Sequence, residues 1–312
     1  MAKGIRYAFR KLVPEVGGAS EAVRKLKRGL QIVLYERFNR TVEYSVPFGA
    51  KSFKFLFLPL GEGQGSRGLF FERENYEPLL KYGHELLRDG GVVIDCGANQ
   101  GVYTCAFASA VGSSGRVIAV EPIPKQIASL KRNILLNSFQ NCTVIQAAIS
   151  DSVGTAALFL RNKDVEATLV RVESGDSLEV NTVSLDSIAS NLERMDLVKL
   201  DVEGAEAMAI DGGHDAISRF KPIIVCEANG QSRFDVAERI VLLGYKAFLR
   251  EEEGWNECAH DAFSQSIFFI HEDKVSEVLA SLPVTARGNL RSSQGSSSTS
   301  IVGGHASGNK TV

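Results

Sequence analysis

The sequence lacks the features of membrane-spanning and nucleic-acid-binding proteins. Crossing a bilayer takes about 20 consecutive apolar residues, whereas the best early apolar stretch of this 312-residue chain covers only residues 29–35. This stretch lies too deep in the chain, and lacks the small-residue cleavage pattern, to predict a secretory signal. The 35 basic and 37 acidic residues nearly cancel and give a net charge of −2. Binding through a global basic field needs an excess of positive charge, so we expect no nucleic-acid partner.

Cysteine and histidine are too few and too scattered to indicate disulfides or a metal site. The five cysteines are odd in number, and two of them fall in apolar runs typical of buried strands, which favours a reduced, cytoplasmic compartment. There is no Cys-x-x-Cys motif, and none of the five histidines is spaced as part of a ligand pair. We therefore expect no bound metal.

Residues 1–85 are interpreted as an N-terminal α+β cap that begins with a basic helix. Up to Arg40 there are ten Lys or Arg residues against three Glu, and Ala22–Phe38 has the periodicity of an amphipathic helix. Its apolar side consists of Val23, Leu26, Leu30, Val33 and Leu34. Two interpretations stay open: the basic face is simply solvated, or the helix makes peripheral contact with an anionic membrane surface.

Two β-like runs follow the helix within the cap. Thr41–Val46 and Ser52–Leu58 are separated by Pro47–Ala50, which predicts a β-hairpin with its turn at those four residues. A glycine-rich link, Gly61–Gly68, then leads towards the larger domain.

Residues 86–271 alternate apolar strands with helices. The predicted strands are Val92–Cys96, Val117–Val120, Thr143–Ala148, Leu197–Val202, Ile223–Glu227, Tyr245–Leu249 and Ser266–His271. The predicted helices are Tyr103–Val111, Lys125–Asn137 (with Ile127, Leu130, Ile134 and Leu135 on its buried side) and Phe234–Leu243. Continuous apolar strands with helices between them predict an α/β fold with a doubly wound, mostly parallel sheet. Between the third and fourth strands, Thr155–Arg161 and Glu179–Leu185 predict an inserted hairpin or a pair of edge strands.

Residues 272–312 are predicted to hold the end of a helix and a disordered tail. The last 28 residues contain seven Ser and five Gly and no acidic residue. Such a segment buries too little apolar surface to offset the entropy lost on ordering.

The turn after the first core strand argues against a dinucleotide. Open parallel sheets bind their ligands beyond the carboxyl ends of the strands. A dinucleotide-binding turn would have glycine at positions 97, 99 and 102, but Asn99 and Val102 occupy two of them. The turn instead follows the pattern Asp95-x-Gly97-x-x-x-Gly101, whose glycines let the backbone approach a ligand and turn sharply into a helix.

An acidic residue ends the second core strand. Glu121 lies 26 residues after Asp95 and is followed by Pro122, which fixes the turn. A carboxylate at this position can accept hydrogen bonds from both hydroxyls of a ribose, and Asp95 can accept one from a cationic amine. A nucleoside with an amino-acid tail and no phosphate carries these groups, which predicts S-adenosylmethionine as the cofactor.

The fourth core strand ends in further acidic residues. Alternation along a strand would place Asp201 and Glu203 on the same face at its carboxyl end, and Glu206 in the first turn of a helix. Two adjacent carboxylates repel, which raises the proton affinity of one and suits it to take a proton from a hydroxyl. The alternatives are that Asp201 caps the next helix while Glu203 is solvated, or that the pair holds a divalent metal.

Together these motifs resemble the FkbM-type S-adenosylmethionine-dependent methyltransferases. The resemblance covers about residues 75–271, and its most specific part is Lys199–Glu206 (KLDVEGAE). It is also carried by residues 95–104 (DCGANQGVYT), Glu121-Pro122, Asn133, Asn137 and Pro222–Glu227. It implies a Rossmann-like class I methyltransferase fold and O-methylation of a sugar or another small polar molecule or glycan.

The resemblance also implies roles for individual residues. Asp95, Gly97, Asn99 and Gly101 would contact the methionine end of the cofactor, Glu121 the ribose, and Asp201 and Glu203 the reaction site. The full set of predicted cofactor-binding residues is Glu77, Asp95, Gly97, Ala98, Asn99, Gly101, Thr104, Glu121, Pro122 and Ala147. Asp201 and Glu203 are the predicted catalytic residues, with His214 as the next candidate base. Two other functions stay open, a nicotinamide-dependent enzyme and a non-catalytic binding protein with a methyltransferase-like core.

Overall fold

The computed structural model describes residues 19–59, 64–160, 167–169, 177–227, 230–262 and 266–282. The helices are α1 (Ala19–Arg37), α2 (Gln64–Glu72), α3 (Pro78–Tyr82), α4 (Val102–Val111), α5 (Pro124–Leu136), α6 (Leu185–Ala189), α7 (Glu206–Asp211), α8 (His214–Phe220), α9 (Ser232–Leu242) and α10 (Glu272–Ser281). The strands are β1 (Val42–Phe48), β2 (Lys51–Phe57), β3 (Val92–Cys96), β4 (Arg116–Val120), β5 (Cys142–Ile145), β6 (Ala148–Ile149), β7 (Gly154–Leu160), β8 (Ala167–Thr168), β9 (Ser177–Val183), β10 (Leu197–Leu200), β11 (Ile223–Cys226), β12 (Tyr245–Glu251), β13 (Gly254–Cys258) and β14 (Ile267–His271). The predicted tail, residues 285–312, lies outside the described residues.

An eight-stranded sheet organises the molecule, and it confirms the predicted doubly wound α/β fold. Its order is β13-β12-β14-β11-β10-β3-β4-β5, and the five strands from β11 to β5 run parallel. Strand β14 is antiparallel to both neighbours. The chain moves outward from β3 to β5 and then returns through β10 on the other side of β3. This reversal creates the switch point at which sheets of this type bind ligands.

The central strands are buried on both faces, as their continuous apolar sequences predict. Val93 and Leu197 belong to the apolar cluster that also contains the buried residues of the cap, whereas Ile94 and Val198 belong to a second cluster. Successive residues of one strand thus pack in opposite layers.

The insertion between the third and fourth parallel strands forms its own sheet, in the order β6-β9-β7-β8. Strands β7 and β9 pair antiparallel, which confirms the predicted hairpin, but they are not edge strands of the main sheet. The predicted strand Thr143–Ala148 is split, because Ala148 and Ile149 form β6 and pair with β9 instead.

The cap hairpin turns more tightly than predicted. Pro47 and Phe48 continue β1 and pair with Ser52 and Lys51, so that Gly49 and Ala50 alone form the turn. Gly49 has φ +62°, and a Cβ at this position would lie 2.4 Å from the His84 ring. The predicted link Gly61–Gly68 is partly helical, since α2 begins at Gln64; residues 60–63 lie outside the described residues.

Side chains of α5 attach the cap to the larger sheet domain. Asn133 Oδ1 accepts a hydrogen bond from Leu56 N at 3.1 Å, and Asn137 Oδ1 accepts one from Lys54 N at 2.6 Å. Asn133 Nδ2 also donates to Gln100 O at 2.9 Å. Both asparagines of the family resemblance therefore bridge structural elements. Leu135 is 77% exposed, so its predicted burial is wrong; the helix buries Asn133 instead.

The side of helix α1 that packs against the rest of the cap is not the apolar side predicted from the sequence. Ile32 and Gly29 are buried against the cap, whereas most of the predicted apolar side is exposed to solvent. Within the part of the chain that the structure describes, neither α1 nor any other helix has the length and apolar character needed to cross a membrane.

Candidate active site

Four parallel strands end at one level and bring their following residues together. The register pairs Cys96 with Val120 and with Leu200, and Leu200 with Cys226. The next residues along these strands are Gly97, Glu121, Asp201 and Glu227. The carboxylates that follow the second and fourth core strands thus lie next to the glycine turn.

The glycine turn is shaped by packing within the protein. Gly97 and Gly101 have φ values of +77° and +89°, a region that residues with a Cβ rarely adopt. A Cβ on Gly97 would lie 1.9 Å from Asp201 O, and one on Gly101 would lie 2.4 Å from Leu130 Cδ1. The glycines are therefore required for the close approach of β3 to the β10 turn and to α5, and not only for a ligand.

Glu121 is fixed at the tip of β4. Its two carboxylate oxygens accept backbone hydrogen bonds from Asn99 N (2.8 Å) and Ile123 N (2.9 Å), and the residue is 5% exposed. Burial raises the pKa of Glu121 to about 7, against the effect of these hydrogen bonds. A carboxylate has about four acceptor positions, so two remain for the hydroxyls of a ligand.

Glu121 borders a cavity with a water-accessible volume of about 110 Å³ that is open to solvent on one side. One part of the cavity wall is polar. The other part is apolar, is called here the apolar slot, and is formed by the β4–α5 turn and by the inserted sheet, including β6. The lining residues are Gly97, Asn99, Val120, Glu121, Pro122, Ile123, Ala148, Ile149, Leu158, Leu169, Asp201, Val202, Glu203 and Ala205. This combination could hold S-adenosylmethionine: Glu121 would accept hydrogen bonds from the ribose hydroxyls, and the apolar side chains would flank a flat base.

Lys199 connects the strand ends electrostatically. Its buried Nζ lies 3.1 Å from Asp201 Oδ2, 3.5 Å from Asp95 Oδ1 and 3.4 Å from the carbonyl oxygen of Gly97. Burial alone would lower the pKa of Lys199, but the carboxylates of Asp201 and Asp95 raise it above its ordinary value. The side chain is therefore a fixed positive charge and cannot serve as a base.

Glu77 and Tyr103 extend this group of charges towards the cap. The Tyr103 hydroxyl donates a hydrogen bond to Glu77 Oε2, and Lys199 Nζ lies 5.0 Å from the centre of the Tyr103 ring. Burial, opposed by the Tyr103 hydrogen bond, raises the pKa of Glu77. Glu77 also lines an open cleft together with Glu21 and Lys25 of α1, Tyr82 and Arg250.

Glu227 is a site residue that sequence reasoning did not single out. Burial, followed by the carboxylates of Asp201 and Glu77, raises its pKa to about 8. The signal was present, because Glu227 follows β11 as Glu121 follows β4. The charges of Asp201, Glu77 and Glu227 thus affect one another. Asp201 contacts Lys199, and Glu77 contacts Tyr103.

A sequence model of the FkbM methyltransferase domain matches residues 95–253. The chain belongs to the FkbM methyltransferase family. The match spans the glycine turn, Glu121, Asp201 and Glu227, which are the residues that form the geometry described above. It ends before β13 and leaves the cap outside.

Solved structures with similar folds include FkbM and other methyltransferases. The FkbM methyltransferase of Methylobacillus flagellatus is 17% identical, with a TM-score of 0.41, and the alignment covers 67% of this chain and 54% of that one. An S-adenosylmethionine-dependent O-methyltransferase of Thermotoga maritima is 14% identical (TM-score 0.39; 76% and 81% covered). Aeropyrum pernix fibrillarin with bound S-adenosyl-L-methionine is 10% identical (TM-score 0.36; 59% and 68% covered). No curated protein matched the sequence.

The predicted FkbM cofactor residues fall into two groups. Gly97, Asn99, Glu121 and Pro122 line the cavity. Glu77 lines the cleft described above, whereas Asp95, Ala98, Gly101, Thr104 and Ala147 line neither space. Asp95 is fully buried and accepts a hydrogen bond from Thr104 Oγ1 at 2.6 Å, while the buried Ala147 precedes Ala148 of the apolar slot.

The two predicted catalytic residues both line the cavity, but for a different geometric reason than expected. Strand β10 ends at Leu200, and Glu203 lies in the following turn with φ +49°. The prediction that Asp201 and Glu203 alternate along one strand is therefore wrong. Glu206 begins α7 as predicted, and its Oε1 accepts hydrogen bonds from Val202 N and Gly204 N at 3.3 and 3.0 Å.

His214, the next candidate base, lies outside this cavity, and its side chain is 68% exposed and contacts Asp215. Cys96 of β3 is a buried thiol whose pKa is raised by burial. Within the residues that the structure describes, no group of three or more His, Cys, Asp or Glu side chains is arranged to hold a metal ion.

Proposed function

We propose that this protein transfers a methyl group from S-adenosylmethionine to a hydroxyl of a small polar acceptor such as a sugar. The observation that carries the proposal is Glu121, a carboxylate held by two backbone donors at the edge of a cavity with an apolar slot. Charge-assisted hydrogen bonds to vicinal hydroxyls are about twice as strong as neutral ones. Among the lining residues that the structure describes, none is a cationic side chain that would pair with a pyrophosphate.

Asp95, Thr104 and Lys199, which do not line the cavity, are proposed to hold the glycine turn in position. Asp95 accepts the Thr104 hydroxyl hydrogen bond and neighbours Lys199 Nζ, which also contacts the carbonyl oxygen of Gly97. In this proposal Asp95, Thr104 and Lys199 act by fixing the turn against which the methionine end rests. A fixed turn matters because orientation of the reactants supplies on the order of 7–11 kcal/mol of such a barrier.

The acceptor hydroxyl is proposed to bind among Asp201, Glu203, Glu77 and Glu227. When bound, S-adenosylmethionine supplies a methyl group already activated on a sulfonium. The protein must then align the acceptor oxygen, exclude water and remove the hydroxyl proton. Glu227, with a pKa of about 8, is suited to take this proton near neutral pH because the best base has a pKa close to that of the medium. Asp201, with one oxygen fixed by Lys199, is proposed to accept a hydrogen bond from the acceptor hydroxyl, and Glu203 to border the same space.

The first test is titration calorimetry with S-adenosylmethionine and, separately, with NAD. We expect saturable binding of S-adenosylmethionine and no heat from NAD. Binding of NAD alone would contradict the proposed cofactor and would favour a nicotinamide-dependent enzyme.

The second test is mass spectrometry of cell extracts incubated with the protein and with cofactor deuterated in its methyl group. We expect the label as a methyl ether in a small molecule or glycan, both before and after nuclease treatment. Label confined to nuclease-sensitive material would contradict the proposed acceptor. Cofactor binding with no label in any extract would indicate a non-catalytic binding protein.

A further inference from the structure

The orientation of α1 is fixed by contacts along its inner side. Ile32 is 2% exposed, and Arg28 Nη1 donates a hydrogen bond to Phe71 O at 2.8 Å. Lys25 Nζ lies 3.0 Å from Glu72 Oε2, with both side chains largely buried, and Glu36 pairs with Arg67. The opposite side of the helix must therefore face away from the protein.

That outward side carries a continuous row of large apolar residues. Val23, Leu26, Leu30, Leu34 and Phe38 are 64, 46, 56, 53 and 67% exposed. Their spacing of three or four residues puts them on one face of the helix and its extension. They are five of the eleven exposed large apolar residues found in the described part of the chain, so this row, called here the apolar stripe, differs from the isolated apolar residues normal on a surface.

The apolar stripe is flanked by positive charge. Arg24, Lys27, Arg37 and Arg40 are exposed beside it. The two acidic residues of α1 are both paired, Glu21 with Arg24 and Glu36 with Arg67. Exposed apolar residues with basic neighbours are the pattern of helices that lie in the headgroup region of an anionic bilayer.

We propose that α1 docks this protein on an anionic lipid surface, with the apolar stripe inserted among the headgroups and the basic residues contacting lipid phosphates. A second copy of the chain fits the stripe less well. A symmetric interface would bring the same patch of both copies together, and so would place basic residues against basic residues. The eighteen residues before α1 include four basic residues and one acidic residue. Their net charge is therefore positive, like that of the residues beside the apolar stripe.

The test is sedimentation of the full-length protein with vesicles of phosphatidylcholine alone or mixed with phosphatidylglycerol. We expect binding to the mixed vesicles that weakens as salt is raised, and little binding to phosphatidylcholine alone. The double variant Leu26→Ser/Leu30→Ser should lower the apparent partition coefficient by about tenfold or more, because two apolar side chains no longer insert. Lys27→Glu should weaken binding to the mixed vesicles selectively.

Matched controls keep the experiment specific. Val241→Ser/Leu242→Ser removes two exposed apolar residues (52 and 82% exposed) from α9, and Lys131→Glu changes an exposed charge on α5; neither should alter vesicle binding. Equal binding to both kinds of vesicle, or undiminished binding of the double variant, would overturn the proposal. A dimer in sedimentation velocity that Leu26→Ser/Leu30→Ser converts to a monomer, without vesicle binding by the parent protein, would assign the stripe to a second copy. Methyl transfer is not the readout, so failure here leaves the proposed function untouched.

Discussion

At the scale of single residues, the cofactor proposal depends chiefly on Glu121. Glu121 follows β4 and lines the cavity. Its carboxylate accepts hydrogen bonds from two backbone N–H groups. A neutral side chain of the same size would keep the shape of the wall but lose the charge.

We therefore predict that Glu121→Gln weakens binding of S-adenosylmethionine by about 10- to 100-fold, since hydrogen bonds to a charged group contribute about 1.5–3 kcal/mol. Calorimetry measures the change directly. Glu193→Gln, at an exposed position, is the control and should bind like the parent protein. An unchanged dissociation constant for Glu121→Gln would remove Glu121 from the proposed ribose site.

The carboxylates around the acceptor space should affect turnover rather than cofactor binding. Glu227→Gln is predicted to lower kcat by about 10²- to 10⁴-fold, the usual contribution of a general base. Asp201→Asn is predicted to lower it by about 10- to 100-fold, because it removes a hydrogen bond to a charged group. Neither variant should change the dissociation constant of the cofactor by much. Glu203→Gln should have a smaller effect because the residue is exposed in a turn. In the parent protein kcat/KM should rise with pH through a pKa of about 8, and this limb should disappear in Glu227→Gln. Full activity of all three variants would refute the assignment of the base to this cluster.

At the scale of elements, close backbone packing holds the strand ends together. Gly97 has a positive φ, and a Cβ added to it would lie only 1.9 Å from Asp201 O. Gly230 also has a positive φ (+58°), but a Cβ added to it would have no other atom within 4 Å. Replacing Gly230 would therefore introduce backbone strain alone, whereas replacing Gly97 would add a steric clash.

We predict that Gly97→Ala destabilises the protein substantially more than Gly230→Ala, whose cost should be about 1–2 kcal/mol from the left-handed backbone alone. Urea unfolding followed by circular dichroism gives both values. Equal destabilisation would show that the β3 turn and the β10 turn can separate without cost.

The parallel strands and their helices were predictable because their apolar runs are long and their polar interruptions fall at the turns. The side by which α1 packs was not, since hydrophobic periodicity identifies an apolar face but not its partner, and here Lys25 and Arg28 pack inward through ion pairs and backbone contacts. Glu227 was overlooked for a similar reason. Its position after an apolar strand is visible in the sequence, but its closeness to Asp201 depends on the register of β10 and β11, which no motif within a single segment encodes.

At the scale of the whole molecule, buried carboxylates link stability to pH. The pKa values of Glu121 and Glu227 rise from 4.5 to about 7 and about 8. The unfolded chain releases both protons near pH 4.5, whereas the folded chain keeps them to higher pH. Between these values the folded state binds more protons, so these groups make the free energy of unfolding fall as pH rises.

We predict that the parent protein loses stability between about pH 5 and 8 through these groups, and that Glu121→Gln makes this loss smaller. The measurement is urea unfolding at both pH values, with Glu193→Gln as the control that should retain the parent's pH dependence. A pH dependence that is identical in Glu121→Gln would mean that the carboxyl group is already ionised at pH 5 in the folded protein.

Two spaces are bordered by these carboxylates, the cavity by Asp201 and Glu203 and the cleft by Glu77, and they differ in enclosure. The cavity beside Glu121 is walled by the inserted sheet, whereas the cleft reached through Glu77 opens to solvent between α1 and the β12–β13 hairpin. If the acceptor enters through this cleft, only the end bearing the reactive hydroxyl has to be enclosed, and the rest of a long chain could remain outside. The cavity would then limit the size of the methyl donor, whereas the open cleft would set no limit on the length of the acceptor.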